Sequence, residues 1–164
     1  MNHTNWVRNE LWELSKTLGF RYTPLEEIEG RLKRLRTVME KEEIEALLVI
    51  QKMDFYYLSG TTQDGLLFLP SEGKPLLMIR RELERAKVES PLNDVVALKS
   101  IRELPSLIQT HFGKLPNSLG LELDVLPVRD YFRYQDLFQG ARFVDASPVL
   151  RNTRRIKSLF GSTS

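Results

Sequence analysis

The 164 residues contain no cysteine. Disulfides, thiolate metal sites and thiol nucleophiles are therefore excluded together. Histidine occurs only at His3 and His111, and a ligand or base role for either would need partners that the sequence does not supply. Neither charge dominates. The 24 basic and 22 acidic side chains leave a net charge of +2, too small to argue for a nucleic-acid partner. No apolar run approaches the roughly 20 residues that span a bilayer, so no membrane partner is expected. The start, Met1 to Trp6, has no basic stretch followed by an apolar core, so a secretory signal is not expected and the expected location is cytoplasmic. Neither form of glycine-rich phosphate loop is present, and there is no G-x-S-x-G nucleophile elbow. The expectation is a chain with no complete catalytic site of its own.

What is present reads as one α/β domain. Apolar residues make up 41% and charged residues 28%, the balance of a globular core rather than a disordered chain. Val7, Leu11, Leu14 and Leu18 repeat at helical spacing after Asn5, and Gly19 closes that segment. Thr23-Pro24-Leu25-Glu26 then reads as a capping box, with Thr23 and Glu26 bonding each other's amides and proline in the first helical position. Ile28, Leu32, Leu35 and Met39 form the apolar stripe of the helix that follows. Ala46 to Ile50 is a continuous apolar run, as in a strand covered on both faces. Asp54 to Leu58 reads as one helical turn ending at Ser59-Gly60. Gly65–Pro70 and Pro75–Ile79 read as an antiparallel hairpin. Beyond it, helices (81–89, 103–112, 128–138, 148–157) alternate with strands (94–98, 118–122, 142–145). Together these elements predict a mixed sheet with helices on both faces.

Three places carry candidate chemistry. Glu122 and Asp124 sit at a strand end, and strand period two puts both on one side. Such a pair could bind a metal or share a proton, but the favoured reading is a cap for the helix near Pro127 or a polar strand exit. A magnesium-dependent nuclease site would need three or four converging carboxylates, and only two are visible. Arg151, Arg154, Arg155 and Lys157 form a basic cluster that suits a solvated helix or linker. The third place is the segment from Asp54 to Gly65, which packs aromatics, a glycine turn and small polar side chains between two strands. A loop of that composition at a strand end can present hydroxyls and amides outward. The alternative is a plain connection with Tyr56 and Tyr57 in the core.

These residues also carry a resemblance. Glu45 to Val49, then Asp54-Phe55-Tyr56-Tyr57-Leu58-Ser59-Gly60, a strand ending in Leu69-Pro70, Leu119 to Glu122, Phe143 to Ser147, and Leu150-Arg151 through Arg154-Arg155-Ile156-Lys157-Ser158 occur in that order. Over residues 25–158 the chain resembles the N-terminal domain of the creatinase, prolidase and Xaa-Pro aminopeptidase family. The resemblance implies a ribonuclease H-like mixed sheet for residues 23–158; the extra helical segment over 1–22 departs from the family pattern, and a short tail or linker is expected over 159–164. It also implies a larger "pita-bread" catalytic domain beyond the R-x-I-K-S junction. That domain holds two divalent metal ions, manganese or cobalt, and cleaves peptide bonds involving proline, whereas creatinase uses the scaffold without metal. No metal ligand of that domain maps onto this chain, so no cofactor is expected here. The implied partners are the chain's own catalytic domain, a second copy in a homodimer, and proline-containing peptides. The loop after the Y-L-S-G motif is implied to narrow access to the partner's active site. Its residues here are Tyr57, Ser59, Gly60, Thr61, Thr62, Gln63 and Asp64. A stand-alone binding domain on the same fold is the alternative.

Overall fold

The computed structural model describes residues 22–155 and the isolated residue 10. The segment expected to be helical from Trp6 to Leu18, His3, and the residues from Ile156 onward lie outside that range. The first described helix, α1 (Leu25–Lys41), buries the predicted stripe: Ile28, Leu35 and Met39 are fully enclosed and Leu32 nearly so. Its start differs from expectation. Pro24 is extended and occupies the cap position itself, and its carbonyl accepts from the amides of Glu27 and Ile28. No side chain caps this end, so the Thr23–Glu26 box does not form.

Strands β1 (Ala46–Val49), β2 (Gly65–Pro70), β3 (Leu76–Ile79), β4 (Val95–Ala97), β5 (Ser118–Leu121) and β6 (Arg142–Asp145) make one sheet in the order β4-β3-β2-β1-β5-β6. The hairpin puts β2 antiparallel to both β1 and β3, while the β1–β5, β5–β6 and β3–β4 pairs are parallel. The remaining helices are α2 (Lys52–Ser59), α3 (Leu83–Glu89), α4 (Leu104–Phe112, led in by a 3-10 turn at Ile101–Glu103), α5 (Val128–Leu137) and α6 (Ser147–Arg155).

Alternation along the strands sends neighbouring side chains to opposite faces. Leu47, Val49, Leu67, Leu69, Leu77 and Ile79 pack with α1, α2 and α6 on one face. Leu48, Leu66, Phe68, Met78, Leu119 and Leu121 pack with α4 and α5 on the other. Both faces are covered, which is why the central strands read as unbroken apolar runs. At Gly120 a methyl group would run into Leu47 and Ala146, so the close β1–β5–β6 packing there requires glycine. At the two edges, β4 has three residues, and β6 begins and ends on the exposed Arg142 and Asp145.

Candidate functional site

Helix α2 connects the centre of the sheet to the predicted loop. Its start is set by Gln51, whose side chain accepts from the Asp54 amide at 2.8 Å. The helix runs for eight residues rather than the single turn expected, because this cap satisfies its first amides. It ends at Gly60, whose φ of 83° is a left-handed conformation that favours glycine.

The predicted site residues divide into two groups. Ser59 and Thr61 are fully buried. Ser59 Oγ donates to the Phe55 carbonyl at 2.6 Å and accepts from the Thr61 amide at 3.3 Å. Thr61 Oγ1 donates to Glu89 and accepts from the Gln63 amide at 3.2 Å. The Gln63 amide group also donates to Glu89. These hydroxyls brace the loop from inside. Thr62 and Asp64 face solvent, and Asp64 pairs with Arg80 at 3.1 Å. Tyr57 is half-buried; its ring lies under the Arg31 guanidinium, 4.1 Å from ring centre, and its hydroxyl donates to the Thr153 carbonyl at 3.3 Å. Tyr56 is 41% exposed, so only Tyr57 belongs to the packed interior.

Glu122 and Asp124 are not brought together. Strand β5 ends at Leu121 and the chain turns, so strand alternation stops one residue before the pair begins. Asp124 is exposed and pairs with Arg151 at 2.7 Å. A hydrogen bond with Ser147 is the main effect holding its carboxyl below the usual range; burial opposes it, and the hydrogen bond and charge of Arg151 reinforce it. Neither residue caps α5, whose first turn has no side-chain cap. Glu122 turns inward and is 1% exposed. Its Oε1 accepts from the amides of Ile50 at 2.8 Å and Gln51 at 3.3 Å, in the turn that leads into α2.

There Glu122 meets a residue that sequence reasoning passed over as chemistry. The Asp54 carboxyl, 4% exposed, faces Glu122, and Arg154 Nε reaches Asp54 Oδ1 at 2.6 Å. That contact is an ion pair whose angle leaves neither atom in a hydrogen bond. Burial pushes the Glu122 carboxyl up to about 8; the Ile50 amide opposes the shift and Asp54 adds to it. Arg154 therefore belongs to this cluster rather than to a solvated basic face, while Arg155 is exposed. Glu122 directly follows strand β5, whereas Asp54 lies five residues beyond the end of β1, in the first turn of α2.

His111 closes α4 and its Nε2 lies 2.7 Å from the Lys74 carbonyl, a structural contact at a helix end. Among the described residues no three histidine, aspartate or glutamate side chains gather as a metal site. A groove of about 830 Å³ lies away from the loop, lined by Arg36, Glu40, Glu45, Gly73, Lys74 and Asp94. No helix among the described residues is long and apolar enough to cross a membrane.

A six-stranded mixed sheet of this order, enclosed by helices on both faces, defines an α/β domain. The model of the creatinase/prolidase N-terminal domain family matches residues 31–156, and the chain belongs to that family. No curated protein matches. Among solved structures, the chain is similar to an Xaa-Pro dipeptidase from Bacillus anthracis, with 18% identity and a TM-score of 0.73, over 83% of this chain and 38% of that one. It is similar to the prolidase from Pyrococcus horikoshii at 26% identity and a TM-score of 0.69, over 82% of this chain and 37% of that one. It also matches the N-terminal domain of the cytoplasmic peptidase PepQ from Mycobacterium tuberculosis, with 20% identity and a TM-score of 0.67, over 76% of this chain and 98% of that one. The chain thus spans well under half of the dipeptidase and prolidase chains and nearly the whole of the isolated PepQ domain.

Proposed function

We propose that this chain is the non-catalytic N-terminal domain of an Xaa-Pro peptidase-like metallohydrolase, acting in dimerisation and in control of access to the active site. The observation that carries this reading is the family match over residues 31–156, combined with the dipeptidase and prolidase chains that continue far beyond the matched part. In this reading the catalytic domain supplies the two divalent metal ions and the bond cleavage, the substrates are proline-containing peptides, and the protein is cytoplasmic. The contribution of this domain is then physical: a wall that fixes the peptide and excludes longer ones. Thr62 and Asp64 suit that wall because they project outward from a loop braced by Ser59, Thr61 and Glu89.

The pure chain with added manganese is expected not to hydrolyse an Xaa-Pro dipeptide, and hydrolysis would overturn the proposal. In a protein joining this domain to its catalytic half, Thr62→Ala with Asp64→Ala is expected to change the ratio of kcat/KM for long over short peptides by roughly tenfold, the scale of one lost contact. An unchanged ratio removes the loop from access control.

A further inference from the structure

The Asp54–Glu122–Arg154 cluster lies outside the loop assigned above. It joins three elements: Asp54 is in the first turn of α2, Glu122 follows β5, and Arg154 is in the last turn of α6. Glu122 is pinned by the Ile50 and Gln51 amides, and the Asp54 amide is pinned by Gln51. Both carboxyls are more than nine-tenths closed to water. Two carboxylates facing one guanidinium in such a place would leave an uncompensated buried charge, which costs several kcal/mol. A proton retained on Glu122 removes that excess and leaves Asp54 to pair with Arg154.

Among the described residues the other nearby charges are paired elsewhere or exposed. Arg151 on α6 is held by Asp124. Asp145 at the end of β6 accepts from the Leu123 and Ser147 amides and from the Ser147 hydroxyl. Arg31 on α1 bonds Glu27 and the Tyr57 carbonyl. Lys52 on α2 and Arg155 on α6 are exposed. Among the described residues Arg154 is the cation that contacts Asp54, and its Nη1 also lies 3.7 Å from Met53 Sδ on α2.

We propose that Glu122, buried beside the Asp54–Arg154 ion pair, keeps its proton and that this proton is a pH-dependent latch on α6. With the proton, the cluster is neutral and Arg154 seats the helix against α2. Without it, the two carboxylates repel, the first turn of α2 and the end of β5 are driven apart, and the seat of Arg154 is lost. The geometry behind the latch is the burial of both acids, the Gln51 bridge whose amide donates to Glu122 and whose side chain accepts from the Asp54 amide, and the Arg154 contact; the raised titration range of Glu122 agrees with it. The latch needs no catalytic domain, so its test is independent of the proposed function.

The test is a side-chain and amide NMR titration of the whole chain between pH 5 and 9.5. The Glu122 carboxyl is expected to titrate in one step near 8. The Ile50 and Gln51 amides and Arg154 Nε should follow the same midpoint. Across that step, hydrogen exchange at Thr153 and Arg154, corrected for intrinsic rate, should speed up by about tenfold or more, as the deprotonated, open form of the cluster replaces the closed one. Glu122→Gln should abolish the α6 transition and keep exchange at its slow level. Asp54→Asn should lower the Glu122 midpoint. Titration of Glu122 in the ordinary carboxylate range, α6 exchange that is flat through its step, or an α6 transition that survives Glu122→Gln would each overturn the latch. If either variant does not fold, the wild-type titration alone decides.

Discussion

The Arg31 guanidinium covers the Tyr57 ring at 4.1 Å while its Nη1 donates to the Tyr57 carbonyl at 2.8 Å. One cation therefore holds both the ring and the backbone of the residue that precedes Leu58-Ser59-Gly60. The Tyr57 hydroxyl reaches α6 through the Thr153 carbonyl, so α1, α2 and α6 meet at this side chain.

Replacing Arg31 by methionine keeps much of the packing and removes both polar contacts. The expected loss of stability is about 1–3 kcal/mol, since the carbonyl and ring lose their partner in a mostly buried setting. Arg31→Lys should recover less than half, because a compact ammonium cannot serve ring and carbonyl together. Urea unfolding monitored by circular dichroism measures both; a loss below about 0.5 kcal/mol for Arg31→Met would count against this role.

Global stability should depend on pH in the direction set by Glu122. Its carboxyl titrates higher in the folded chain than in the unfolded one, so the folded state holds a proton that the unfolded state releases. Stability from this group is complete below the ordinary carboxylate value and is lost as pH rises towards about 8. The slope should approach but not exceed about 1.4 kcal/mol per pH unit, the limit for one proton. Asp124 acts in the opposite sense at lower pH, and its exposure keeps that contribution small. Thermal melts from pH 5 to 8 should therefore show a falling Tm in the wild type and a nearly flat one in Glu122→Gln. A wild-type Tm that rises across this window contradicts the assignment.

Gly120→Ala should destabilise by about 1–3 kcal/mol through overpacking, since its new methyl meets Leu47 and Ala146. The same substitution in a Leu47→Ala background should cost clearly less, because the space it needs has been opened. Equal costs in the two backgrounds would show that the clash is not with Leu47.

Much of this fold is legible in local pattern. The hairpin shows in two apolar runs separated by Ser71-Glu72-Gly73-Lys74, and the stripe Ile28, Leu32, Leu35 and Met39 shows in helical spacing. Helix and strand ends are less legible. Thr23 has the right chemistry for a cap, but extended Pro24 takes the position. Glu82, with a φ of 62°, delays α3 to Leu83, two residues after the expected start. Helix α5 stops at Leu137 with Phe138 at its cap, before Gly140 can end it. The buried acid pair is least legible of all. Ile50 and Glu122 bond across 72 positions, and only the parallel pairing of β1 with β5 brings their strand ends together. Spacing along the chain holds no trace of that pairing, whereas Asp124, two residues on, offered itself as a partner by proximity alone.

The margins of the sheet limit how copies of this domain can associate. Edge strand β4 offers three residues of backbone, and edge strand β6 is flanked by exposed charge at Arg142 and Asp145. Short, charged edges are poor templates for a further strand. Continuous sheets built across two molecules, and the fibrous assemblies that grow from them, are disfavoured from either side. Any pairing of this domain with another protein then falls to its helices and loops, where side-chain identity rather than backbone complementarity selects the partner.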